Sequence, residues 1–72
     1  MKHSLLLALI LFGYLGLYNG HLAIYEGNSK MPVLVLPYRQ ERYSDQDLEK
    51  LLDGIPFQTD QELTDLLQDY TS

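Results

Sequence analysis

The sequence predicts an α+β fold in which an apolar N-terminal helix precedes a small β-hairpin packed on two short helices. Three observations carry the prediction. Ser4 through Tyr18 holds no charged residue. Two runs rich in Leu, Val, Ile and Tyr, His21–Glu26 and Met31–Tyr38, flank the turn residues Gly27-Asn28-Ser29. A capped amphipathic pattern then occurs twice, starting at Ser44 and again at Thr59. The expected order after the first helix is β-β-α-(β)-α, the bracket marking Ile55–Phe57 as an optional third strand.

The first element has the features of an export segment. Met1-Lys2-His3 is a short basic start, and the apolar stretch follows directly. Signal peptidase requires small residues at −1 and −3. A cut after Gly20 places Tyr18 at −3, and a cut after Gly16 places Tyr14 there. No A-x-A is present, which favours an uncleaved anchor over a cleaved signal. Length opposes this, because fifteen helical residues span about 22 Å against a hydrocarbon core of about 30 Å. Tyr14 and Tyr18, one helical turn apart, suit the headgroup level. Residues 1–20 are therefore read as a signal peptide or an uncleaved membrane anchor, and 21–72 as the folded domain. Lys2 favours an inside N-terminus, so the expectation is a single pass through the cytoplasmic membrane by residues 4–18, with an extracytoplasmic C-terminus. Gly16-x-x-x-Gly20 matches a helix-packing pattern, but at the end of the apolar run it reads as an unwinding linker.

The hairpin follows from the turn chemistry of Gly27-Asn28-Ser29 between two strand-forming runs. Val33–Leu36 is apolar on both faces, so this strand wants cover on each side or a partner. Pro32 and Pro37 bracket it and cannot donate to a ladder.

Each later copy opens with a capping box, Ser44 with Asp47 and Thr59 with Glu62, and carries acids in its first turn to suit the helix dipole. Tyr43 and Leu48 hold the positions of a hydrophobic staple. Leu48, Leu51 and Leu52 share one helical face, as do Leu63, Leu66 and Leu67. Gly54 ends the first helix.

Composition removes whole classes of function. The 72 residues contain no Cys and no Trp, and ten acids against five bases give a net charge of −5. Disulfide scaffolds, thiolate metal sites and catalytic cysteines are excluded, and so acidic a chain is a poor nucleic-acid binder. Asp45-x-Asp47-x-Glu49 resembles the opening of a calcium loop, but Lys50 stands where Gly is needed and Pro56 where Glu is needed. It reads as an acidic helix start. His21, the sole histidine after residue 3, has no second imidazole or thiol to share a metal and no placed serine for a triad. No enzyme, cofactor or metal is expected.

Binding remains. About twenty apolar or Tyr side chains are a thin core for residues 21–72, so the domain is expected to dock on a protein partner or to form a homodimer through the hairpin edge. Val33, Val35, Tyr38, Arg39 and Arg42 are the candidate contacts, with strand addition as one mode and acidic helix faces as another. Arg39, Arg42 and Lys50 equally suit plain solvation. An alternative from a different class is a small membrane-complex subunit or membrane-active protein acting through residues 4–18. A secreted peptide factor, cut near residue 20, is a third.

Three stretches together resemble a known family. They are His21-Leu22-Ala23-Ile24-Tyr25-Glu26-Gly27, Leu48-x-x-Leu51-Leu52-x-Gly54-Ile55-Pro56-Phe57, and Glu62-Leu63-x-x-Leu66-Leu67-x-Asp69-Tyr70. The chain from about residue 21 to 72 is similar to the C-terminal domain of bypass-of-forespore C (BofC) from endospore-forming bacteria. The resemblance implies a three-stranded sheet with two helices, an exported sporulation protein, and restraint of an intermembrane-space serine protease. It brings no catalytic residues. BofC carries a separate N-terminal domain for which these 72 residues have no counterpart.

Overall fold

The computed structural model describes residues 12–72. Its elements are β1 (Gly13–Tyr18), β2 (His21–Glu26), β3 (Leu34–Arg39), a 3₁₀ turn (Gln40–Arg42), α1 (Asp45–Asp53), β4 (Ile55–Phe57) and α2 (Asp60–Thr71). The α+β class and the two helices stand as expected, but the sheet has four strands, in the order β3-β2-β1-β4.

The extra strand corrects the N-terminal reading. The helix expected over Ser4–Tyr18 is absent from the part described, because Gly13–Tyr18 is an extended strand. Residues 1–11 lie outside the described residues. Among the described residues no helix is long and apolar enough to cross a membrane. The physical reason lies in a central strand being covered on both faces. It therefore reads as a continuous apolar run, which periodicity cannot distinguish from a helix. β1 pairs antiparallel with β2 along its whole length and with β4 over Gly13–Leu15. Two details fit only the strand. Asn19 and Gly20 have φ of 55° and 80°, the tight turn that Asn-Gly favours between antiparallel strands. A Cβ on Gly13 would lie 1.9 Å from the Tyr25 carbonyl oxygen. The boundary placed between residues 20 and 21 thus falls between two paired strands.

The sheet register separates two faces. Leu15 faces Ile24 and Ile55 across the ladders, and Leu17 faces Leu22. Leu15, Leu22, Ile24, Leu51, Phe57 and Leu63 form the buried cluster, with Leu66, Leu67 and Tyr70 of α2 packed against it. On the opposite face Tyr14 stacks on Tyr25, ring centroids 4.5 Å apart. The Tyr14 hydroxyl donates to the Ser29 carbonyl at 2.8 Å, holding the β2–β3 connection over this face.

Both helices start as their sequences dictate. The Ser44 hydroxyl accepts from the Asp47 amide at 3.2 Å, and the Thr59 hydroxyl from the Glu62 amide at 3.1 Å. The reciprocal half of the second box differs from expectation. The Glu62 carboxylate accepts from the Gln58 amide at 2.7 Å, one residue before the cap. Leu51 is buried, but Leu52, assigned to the same face, is exposed. The core side of α1 is therefore narrower than a spacing of three and four residues suggests.

Tyr43 reaches across to α2, its hydroxyl donating to the Tyr70 carbonyl at 2.6 Å. Burial pushes the phenols of Tyr25, Tyr43 and Tyr70 above their ordinary value of 10.0. A phenol held neutral in the fold ionises more readily when unfolded. Stability is then constant below the unfolded pKa and falls as pH rises through the raised folded values. We expect the urea midpoint to hold between about pH 8 and 9 and to drop by about pH 11. An unchanged midpoint at the higher pH, with phenolate absorbance already developed, would contradict this.

Candidate protein-binding edge

β3 forms one end of the sheet, and among the described residues no strand lies on its outer side. Its course explains why. Ala23 is paired with Val35 and His21 with Arg39, so two steps of β2 are matched by four of β3. The surplus residues make a bulge around Pro37, where the missing N–H is tolerated. Val33 lies just before β3 and donates its amide to the Ile24 carbonyl at 2.8 Å. The strand therefore starts later than the Met31 expected from sequence and runs one residue further, to Arg39.

This edge is apolar and open. Met31, Val33, Leu34 and Val35 are 61%, 49%, 50% and 44% exposed. Folded proteins usually blunt such an edge with charge, cover or a partner. Of the five candidate contacts, Val33, Val35 and Arg39 are exposed on this edge. Arg39 makes a long 3.4 Å contact with Glu41, both side chains largely in water, so the pair holds it weakly. The Glu41 carboxyl is lowered by its own backbone hydrogen bond first and by Arg39 second.

Tyr38 and Arg42 are placed differently. Tyr38 is half-buried against the core cluster. The Arg42 guanidinium lies 4.9 Å from the centre of the Tyr38 ring and 5.7 Å from that of Tyr43. It also donates to the Ser72 carbonyl at 3.0 Å, beyond the end of α2. A cation there complements the negative end of the helix. Arg42 thus ties β3, the 3₁₀ turn and α2 together while its side chain remains exposed.

The remaining hollows are shallow. One of about 240 Å³ is lined by Tyr14, Gly16, Leu17, Tyr25, Lys30, Leu51 and Leu52. It brings together no acid, imidazole or serine. Among the described residues no group of three or more His, Asp or Glu side chains is arranged to hold a metal.

The sequence missed β1, although it did point to the strand carrying Val33 and Val35 as an open hairpin edge. The available signal was Asn19-Gly20 between two apolar runs, a strong hairpin signature.

Comparison with known proteins gives one family. Neither the curated proteins nor the solved structures yield a significant match. The family model for the BofC C-terminal domain matches residues 11–72, nearly the whole chain and including β1. A match of that extent, together with a sheet and two capped helices at the positions where the three motif stretches lie, makes the chain a member of the BofC C-terminal domain family.

Proposed function

We propose that this protein is a non-enzymatic, extracytoplasmic protein-binding domain of sporulation that regulates a protease by occupying it, through strand addition at β3. The observation that carries the reading is the exposed apolar edge from Met31 to Val35 on an otherwise acidic domain. Family membership supports a regulatory role toward a protease. An added strand would gain main-chain hydrogen bonds from the open side of β3 and apolar contacts from alternate side chains.

Placement outside the cytoplasm belongs to the same reading. Lys2 and the uncharged residues after it support export. A segment that leaves the domain whole has to end before Phe12, whose carbonyl accepts from the Gly27 amide at 2.9 Å. The membrane-subunit alternative draws on residues 13–18, which the sheet also uses, so the fold favours the binding reading.

The test is site-specific photocrosslinking in the host cell, with the probe at Val35 and, for comparison, at Glu49 on α1. We expect one protein captured from position 35 and not from position 49. Purified together, that protein and the full chain should form a complex that Val35→Lys weakens by at least about tenfold, with unchanged circular dichroism. Capture at Glu49 alone, or full binding by a folded Val35→Lys variant, would move the interface away from β3.

A further inference from the structure

The two central strands come from a stretch long enough and apolar enough to cross a bilayer. Between Lys2 and Glu26 stand twenty-three residues, and none of them is Asp, Glu, Lys or Arg. As a helix they would reach about 34 Å, against a hydrocarbon core of about 30 Å. The folded domain uses the same residues differently. β1 and β2 pair with each other along their whole length. Leu15, Leu22 and Ala23 are fully buried in them. Residues 3–11, outside the described part, would reach about 13 Å as a helix, less than half of the distance.

Resting on the reading that this stretch enters the membrane during export, we propose that spanning and folding are alternative states of residues 13–25. They form a helix in the bilayer or the β1–β2 hairpin of the sheet, and never both in one molecule. An open hairpin in lipid is no compromise, because its unpaired edges would go unsatisfied there. A partly built sheet is none either. Among the described strands β3 pairs only with β2, and β4 only with β1. A chain held across the bilayer by this stretch therefore has no β3 edge to offer. Completing the sheet takes the stretch out of the membrane and creates the binding edge in the same step, so binding at β3 is confined to chains that have left the bilayer. Gly13 is where the two states separate. A Cβ there would collide with the Tyr25 carbonyl oxygen, so any side chain opposes the sheet. In the bilayer a leucine at this position is favourable and an aspartate is costly.

The experiment synthesises the full chain in the presence of phosphatidylethanolamine–phosphatidylglycerol vesicles. A membrane-impermeant amine reagent added outside identifies spanning chains as those with Lys2 shielded and Lys50 labelled. Hydrogen exchange of α2, read by mass spectrometry, reports folding, because a twelve-residue helix is marginal in water without the core it packs on. We expect α2 to be protected in chains off the vesicles and unprotected in every spanning chain. Gly13→Leu should raise the spanning fraction at least about tenfold, and Gly13→Asp should neither span nor protect α2. Spanning chains with α2 as protected as in the free protein overturn the exclusion, because a folded domain would then hang from a membrane segment. A Gly13→Leu chain that does not span overturns the membrane state and with it the export reading, and leaves β3 to be judged by the crosslink at Val35. Equal spanning by the Leu and Asp variants overturns the proposal by placing the span outside residues 13–25.

Discussion

Removing residues 1–20 should abolish folding, whereas removing residues 1–11 should leave the domain intact. The first cut takes away β1, which lies between β2 and β4 and pairs with both. It deletes Leu15, fully buried, and Leu17, which packs beside it. It leaves Ile24, Tyr25 and Phe57 without their neighbours in β1. A domain of this size has a margin of only about 3–5 kcal/mol. A buried leucine truncated to alanine already costs about 2–5 kcal/mol. Losing a whole central strand exceeds the margin several times over. The 21–72 fragment should show no cooperative transition in urea and little amide dispersion, and the 12–72 fragment should show both. A folded, monomeric 21–72 fragment would contradict the four-stranded sheet.

The second large effect is expected at Phe57. Its side chain is 1% exposed, beneath α2 and against Leu15. β4 is three residues long and among the described strands pairs with β1 alone, so little backbone remains to keep it in place once the ring is gone. Phe57→Ala should cost about 3–5 kcal/mol, enough to unfold much of the population at room temperature. Leu52→Ala is the control. Leu52 is 74% exposed, and its truncation should change stability by no more than about 0.5 kcal/mol. Urea titration of both variants checks the pair, and equal losses would mean that the core side of α1 is wrongly placed.

These two expectations also measure what the sequence made legible. The local signals were read where they are strong. His21–Glu26 is a strand with the bounds read from its residues. Ser44 and Thr59 cap the two helices, because a hydroxyl at that position answers the third amide wherever the helix lies. Ile55–Phe57 is the optional extra strand, although it pairs with β1 and not with the hairpin. At the edge, Val33, Val35 and Arg39 stand exposed, as a contact surface requires, while Tyr38 is largely taken up by the core and Arg42 by the end of α2.

The sequence by itself determined the class, both capped helices, the β2 strand and the motifs that carry the family resemblance. Each depends on residues within one turn or one hairpin of each other. Asn19-Gly20 offered a local signal for a strand at Gly13–Tyr18, but only pairing in the folded sheet decided its role against a helix. A short uncharged apolar run suits a buried helix or a central strand equally well by composition. Here the choice falls to pairing with β2 and β4, the latter some forty residues further along the chain. Pairing on both sides puts Gly13–Leu15 in the middle of the sheet. With β1 on the other side of β2, β3 is the outer strand, the position from which its exposed valines can reach a partner.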